Sequence, residues 1–337
     1  MIPWRRSQKG GGEVNRVLVI QLGALGEFIA ALAAAKRIRD FHLGAHITLL
    51  TTEATQDLAR QCPYFDAVDA DGKPKEPQAI TKLIARIRAA KYDVIYDLEG
   101  SSRTANYFQG LRPWPPKWSG PVSGASYAYL EPKRNELHPL DRYANQLATA
   151  GLAVEGALLM PDLSWLRGAL RDPPRLRPDY FGIRGPYVLL LPRGGEAQTQ
   201  RGWSQDKYID LAGRIARRGV TPVVLGGSEE RGIGAAIVQG APAAKNLVTR
   251  PDLFQAIGLA ERAAFAVGEN VELMHVAAAA GAPCLVFLSS FDPPERVAPR
   301  GRGGVVALTA AVIADLPVEQ VDAQLRNCGV YAQAATA

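Results

Sequence analysis

The 337-residue chain is short of the side chains that metal and redox chemistry use. It has three cysteines, Cys62, Cys284 and Cys328, and four histidines. An odd number of widely spaced cysteines argues against a disulfide framework and for a reducing, cytoplasmic setting. With neither CxxC nor HExxH there is almost no material for a structural or hydrolytic zinc site. No apolar run approaches the ~18–20 residues that span a bilayer. The opening residues carry Arg5, Arg6 and Lys9 with no apolar stretch behind them, so they read as a loose leader, not a secretory signal. Zinc-finger spacing, an RNP-like aromatic motif and a dense basic helix stripe are all missing, which disfavours nucleic acid as a partner.

What the chain does have is a globular balance. Hydrophobic residues make up 47 % and charged residues 21 %, and the length suits two domains of the usual ~100–200 residues. Lys and Arg number 39 against 33 Asp and Glu, a net charge of +6. That excess fits an anionic partner such as a nucleotide, a phosphorylated glycolipid or a membrane surface. A generally basic solvated surface explains it equally well.

Hydrophobic period organises the rest. Arg16–Gln21 is a β-branched apolar run bounded by Gly23 and Gly26. Behind it, Phe28, Ala31, Leu32, Ala35 and Ile38 recur at helical spacing and fade near Gly44. The spacing predicts further strands at His46–Leu50, Ala67–Val68 and Tyr92–Leu98, and helices over Thr55–Gln61, Ile80–Ala90 and Asp141–Ala150. Leu111–Pro121, with its prolines and Trp114 and Trp118, reads as a long loop or lid. Asp162–Pro186, rich in Pro and Arg, reads as an interdomain linker. The alternation then restarts, with strands at Tyr187–Leu191, Thr221–Leu225, Asn246–Val248, Ala264–Val267 and Cys284–Leu288. Between and after them come helices at Gln205–Arg218, Arg231–Gln239, Leu253–Arg262, Met274–Ala280 and Pro317–Leu325. Strand–helix alternation in both halves implies an α/β protein of two Rossmann-like parallel-sheet domains, with ligands at the carboxyl ends of the strands in the cleft between them.

Three loops can carry chemistry. The first, Gly23-Ala24-Leu25-Gly26, enters Glu27, which is placed either as a general base or as a carboxylate complementing the helix dipole. It is not GxGxxG, and Glu53 is the nearest acid to a ribose-holding position, so a dinucleotide fingerprint is weak. The second is Leu191-Pro192-Arg193-Gly194-Gly195 with Arg201 beyond it. It can wrap a diphosphate, with arginine against leaving-group charge, or be a plain βα loop. Ser204 follows as an N-cap. The third, Gly268–His275, brings a strand end into a helix start where a phosphate can meet side chain or backbone N–H. Asp69-Ala70-Asp71 matches DxD, a match cheap enough to discount.

In order and spacing these blocks resemble glycosyltransferase family 9, the bacterial heptosyltransferases of lipopolysaccharide core assembly, over roughly Arg16 to Leu325. RVLVIQLGALGEFIAALAAAKRIRD looks like the family's strand–LGxLGD–helix opening. YDVIYDLEGSSRTA is similar to YDxxIDLQGxxRSA, and HPLDRYANQLATAGL to HxxDRYxxLLxxLG. YVLLLPRGGEAQTQRGWSQDKYIDLA resembles the donor-loop block, VVLGGSEER the next, and VGENVELMHVAAAAGAPCLVFLSSFDPPERVAP the VGNDSGPMHLAAALG segment.

The resemblance implies a GT-B architecture with a leader over 1–15 and an acceptor domain over 16–165. A linker over 166–186, a nucleotide-sugar domain over 187–315 and a helix and tail over 316–337 complete it. It implies inverting, metal-independent and cofactor-free transfer of a heptose-like sugar from an ADP-heptose-like nucleotide diphosphate sugar to an anionic glycolipid or glycan. The setting it implies is cytoplasmic, with room for peripheral contact at the inner membrane. By position Glu27 replaces the catalytic aspartate. Arg193, Gly194, Arg201, Glu229, Asn270 and His275 fall on the donor side, and Gly26, Arg103, Arg112, Lys117 and Arg142 on the acceptor side.

Two departures stand out. Glu27 is one methylene longer than aspartate, and Asn270-Val271-Glu272 replaces the family's Asp, hydroxyl residue and Gly. The second departure supports an alternative, a non-catalytic scaffold that binds glycan, nucleotide or a protein partner.

Overall fold

The computed structural model describes residues 14–153, 159–195 and 202–331. The leader up to residue 13 and the donor-loop Arg201 lie outside the described residues.

The first half forms a six-stranded parallel sheet from β1 (Arg16–Ile20), β2 (His46–Leu50), β3 (Ala67–Asp69), β4 (Val94–Asp97), β5 (Lys117–Gly120) and β6 (Tyr127–Ala128). Its order is β3-β2-β1-β4-β5-β6. The second half repeats the plan with β7 (Tyr187–Leu191), β8 (Thr221–Val224), β9 (Lys245–Asn246), β10 (Phe265–Glu269), β11 (Cys284–Ser289) and β12 (Val305–Ala310), ordered β12-β11-β10-β7-β8-β9. Each is a 3-2-1-4-5-6 order, so each sheet reverses direction once, between β1 and β4 and between β7 and β10. Those are the switch points at which α/β sheets bind ligands. The central strands are covered on both faces, which is why they are continuous apolar runs: all five residues of β7 are buried.

The helices of the first half are α1 (Leu25–Phe41), α2 (Glu53–Gln61), α3 (Pro77–Ala89), α4 (Ser102–Leu111), α5 (Pro139–Thr149) and α6 (Trp165–Ala169). Those of the second are α7 (Gln205–Ala216), α8 (Arg231–Gly240), α9 (Leu253–Arg262), α10 (Glu272–Ala280), α11 (Pro294–Val297) and α12 (Val318–Asn327). None among the described residues is long and apolar enough to cross a membrane. The two halves meet where α1 packs against α10. Both helices bury alanine, at Ala30, Ala31, Ala33, Ala34 and Ala35 on one and Ala277–Ala280 on the other. Small side chains let the two axes approach closely, and one core cluster runs through both halves.

One expectation needs correction. Leu111–Pro121 is not a single lid. Leu111 ends α4, and Lys117–Gly120 is a central-sheet strand whose Trp118 is completely buried, so only the turn carrying Trp114 (88 % exposed) is loop. Asp162–Pro186, the expected linker, is ordered. It holds α6 and two 3-10 turns, Pro174–Leu176 and Pro178–Phe181, that pack on α9. Asp172 there pairs with both Arg177 and Arg262. The chain's last described helix, α12, stays on the second domain, packed on α7 and joined to it through Asp322 and Arg218.

Candidate active site in the interdomain cleft

At the first switch point the turn after β1 is tied down from several sides. Gln21 Oε1 accepts from the Gly23 N–H at 2.6 Å, and Gln21 Nε2 donates to Tyr143 Oη at 3.1 Å. Glu99 Oε2 accepts from the Leu22 N–H at 3.1 Å. Glu27 sits in the first turn of α1 and folds back, so that its Oε2 accepts the Ala24 N–H at 3.0 Å. This is the helix-start role that a carboxylate there naturally takes. The residue is nevertheless exposed at the cleft, and its second oxygen is left for another partner.

At the end of β4, in register with Ile20 of β1, Asp97 is completely buried. Its Oδ1 accepts the Gly100 N–H at 2.9 Å, while Oδ2 has no partner among the described residues. Burial pushes its carboxyl up to about 7.

The second switch point is built around acids. Glu269, 1 % exposed at the end of β10, accepts from the backbone N–H groups of Arg193 (3.4 Å) and Trp203 (3.3 Å). Its other oxygen lies 3.4 Å from Arg193 Nε. Desolvation raises its pKa above the usual value, against the pull of Arg193. Arg193 also donates to the Asn270 carbonyl at 3.0 Å, so its guanidinium is locked over the end of β10. Glu230 bridges two loops, accepting from the N–H of Gly194 at 2.8 Å and of Gly227 at 2.6 Å. Gly194 has to be glycine because a Cβ there would collide with the Glu229 carbonyl. Asn270 Nδ2 donates to the Val297 carbonyl at 3.1 Å, and its buried Oδ1 has no partner among the described residues. Of these, Arg193, Gly227, Glu230 and Asn270 line a cavity of about 480 Å³ together with Ser228, Glu229 and Glu272.

Between the domains lies a second cavity, of about 340 Å³, lined by Gly26, Glu27, His138, Glu272, His275 and Arg300 among others. His275 stands one turn into α10 with its ring against Gly26, where a Cβ would lie 3.6 Å from Cδ2. Burial first, and the nearby His138 second, lower its pKa to about 4, so the ring is neutral at neutral pH. His138 accepts the Leu140 N–H on Nδ1 at 3.1 Å, which leaves Nε2 to donate to the Ala298 carbonyl at 3.0 Å.

A third cavity, of about 800 Å³, opens in the first domain above β1–β3. Leu22, Ala54, Pro74 and Leu83 form part of its apolar wall, and Lys73 and Lys82 line it with Arg86. Arg86 is already held by Asp69 (2.7 Å) and Asp71 (3.2 Å), which also accounts for the DxD match.

The structure brings together Gly26, Glu27, Asn270 and His275 in the interdomain cavity, and Arg193, Glu229 and Asn270 in the second-domain cavity. Gly194 lies under the latter. Arg142 stands at the start of α5 with its guanidinium 5.8 Å from the Tyr143 ring centroid. Arg103 donates to the Pro74 carbonyl at 2.8 Å and so braces the wall of the first-domain cavity.

Arg112 and Lys117 do not reach the cleft. Lys117 opens β5 and pairs in register with Val94 at the start of β4, and Arg112 ends the helix that runs back from the cleft. Both therefore sit at the amino edge of the sheet, the far side from the site. Sequence reading singled out none of Glu230, His138 and Arg300, and gave Glu269 no role of its own within the Gly268–His275 loop. A glutamate closing the otherwise apolar run Phe265–Glu269 at a switch point was the available signal for the last.

Two parallel 3-2-1-4-5-6 sheets whose carboxyl ends face one cleft define the GT-B architecture of nucleotide-sugar transferases. The profile of glycosyltransferase family 9 (heptosyltransferase) matches residues 80–302, and the chain belongs to that family. Among solved structures it resembles a family 9 glycosyl transferase from Veillonella parvula, with TM-score 0.77 and 17 % identity over 94 % of this chain and 98 % of that one. It also resembles the Escherichia coli ADP-heptose lipopolysaccharide heptosyltransferase II, with TM-score 0.73 and 19 % identity over 94 % and 99 % of the two chains. E. coli heptosyltransferase WaaC, solved with ADP, gives 0.70 and 16 % over 93 % and 99 %. At these identities the likeness is one of fold. A putative glycosyltransferase of Haemophilus influenzae is 29 % identical over 80 residues, a match spanning 24 % of this chain and 23 % of that relative.

Proposed function

We propose that the protein is an inverting, metal-independent glycosyltransferase that moves a heptose-like sugar from a nucleotide diphosphate sugar of the ADP-heptose type to a lipopolysaccharide core or related anionic glycan. Its place of work is the cytoplasm, at or near the inner face of the membrane that holds such acceptors. The observation that carries this reading is the facing of two helix starts across one cavity. Glu27 at the head of α1 lines the same space as Glu272 and His275 in the first turn of α10.

In this reading the acceptor lies in the first-domain cavity with its anionic groups toward Lys73 and Lys82. Its reactive hydroxyl reaches past Ala24, which lines both cavities. The free oxygen of Glu27 takes the hydroxyl proton as the acceptor oxygen attacks the anomeric carbon. The bond from that carbon to the phosphate oxygen breaks on the opposite face, and its electron pair leaves with the diphosphate. Arg193, the neutral His275 as an N–H donor and the N-terminus of α10 meet the charge that develops there. The structures of WaaC with ADP and with a fluorinated ADP-heptose support the choice of donor class.

Glu27→Gln tests the assignment. It is expected to lower turnover with ADP-heptose by about 10²–10⁴-fold while leaving ADP affinity intact. Full turnover by the variant would remove Glu27 from the role. A second reading, a scaffold that binds without transfer, is favoured by Glu272 at the phosphate-facing helix start and by Glu230 holding two loop amides. It predicts no turnover in wild type either.

A further inference from the structure

The segment Ala298-Pro299-Arg300-Gly301-Arg302-Gly303, between α11 and β12, takes no step in the chemistry above, although Arg300 borders the interdomain cavity, and it joins the two domains. Its positions alternate. On one side, a Cβ on Gly301 would collide with the Ala278 carbonyl and one on Gly303 with that of Gly281, so the strap lies backbone to backbone on the end of α10. On the other side, three groups reach the first half of the chain. The Ala298 carbonyl accepts from His138 Nε2 at 3.0 Å. Arg300 forms a two-pronged pair with Asp141, at 2.6 and 2.8 Å. Arg302 meets Asp162 at 2.9 Å.

His138 and Asp141 stand three residues apart at the head of α5, which packs along α1. The strap is thus fixed to the helix that carries His275, and its partners to the helix that carries Glu27. The alanine interface between those two helices is apolar and has little directional preference. The bidentate pair and the histidine bond are directional, and Arg300 holds the Asp141 carboxyl below its ordinary pKa, as a charged partner should.

We propose that this strap is the clamp that sets the register of the donor domain on the acceptor domain, with Asp141 and Arg300 as positioning residues for transfer. A displacement of about 1 Å between base and reacting carbon costs on the order of 10²-fold in rate, so a clamp at this interface acts on turnover and spares nucleotide binding in the second domain. The kinetic part of this inference rests on the transferase reading; the structural part does not.

The test uses the full chain with Asp141→Asn, Arg300→Lys and the exchanged pair Asp141→Arg/Arg300→Asp. The first readout is hydrogen exchange at the Leu163 amide, which donates to the Ala279 carbonyl at 2.9 Å where the chain crosses between domains. The second is ADP affinity by calorimetry, and the third is turnover of ADP-heptose with core oligosaccharide. Each single variant is expected to exchange at least about tenfold faster at Leu163, to bind ADP within about twofold of wild type, and to turn over about 10²-fold more slowly. The exchanged pair is expected to recover at least about tenfold of the loss.

Unchanged exchange in both single variants overturns the clamp. So does a loss of ADP affinity in proportion to rate, which would make Arg300 a ligand-binding cation. If wild type neither binds ADP nor turns over, the transferase reading fails while the exchange result still decides the clamp.

Discussion

Asp97 shows what single residues do at this site. It closes β4 at the switch point with one oxygen unpartnered, and burial raises its pKa to about 7. The unfolded chain gives up that proton near the ordinary carboxylate value, so the folded state holds the proton more tightly. The penalty is absent in acid, grows as pH rises from about 4 to about 7, and is fully present above. Asp97→Asn, which removes the titration, is expected to raise Tm over wild type at pH 8 and to lose most of that advantage by pH 5. Thermal melts across pH check it, and a gain larger at pH 5 than at pH 8 contradicts it. Gly194→Ala tests a second residue, because a side chain there meets the Glu229 carbonyl. It is expected to weaken ADP binding at least tenfold and to lower Tm. The positions of Glu27, Asn270 and His275 in the cleft could be read from the sequence because each follows a strand–glycine punctuation, and that of Arg193 because it stands between a strand and a glycine pair. Glu230 and Asp141 were not, since their partners are 36 and 159 residues away.

At the scale of elements, the strand–helix alternation was readable wherever period and punctuation agreed, as in β1, α1, β7 and α9. It failed at β5. There Lys117-Trp118-Ser119-Gly120 is flanked by prolines and carries a lysine, so the composition imitates a loop while the register with β4 makes it a strand. Trp118 in the strand and Trp114 in the turn before it separate the cases. Trp118→Ala empties a fully buried site and is expected to cost about 3–5 kcal/mol of stability. Trp114→Ala, on an 88 % exposed side chain, is expected to change stability by no more than about 0.5 kcal/mol. Equal losses in urea titrations would mean that β5 is not in the sheet. The same strand direction explains why Arg112 and Lys117 fall on the edge away from the cleft: charge was visible in the sequence, but the end of the sheet it would occupy was not.

For the molecule as a whole, duplicated sheet order sets two switch points against each other, and the α1–α10 contact brings them within one cleft. The two-domain reading was legible because the alternation restarts at Tyr187. How the domains dock was not, since the period of the buried alanines does not say which helix they pack against, and the ion pairs join distant segments. The central claim is that the second-domain cavity, despite Glu229, Glu230 and Glu272 in its lining, receives a nucleoside diphosphate. Calorimetric titration of the wild-type chain with ADP, UDP and GDP, without added metal, tests it most directly. Micromolar binding of ADP in preference to the other two, lost in Gly194→Ala, is the predicted result. Folded protein that binds none of the three would contradict the transferase and leave the scaffold.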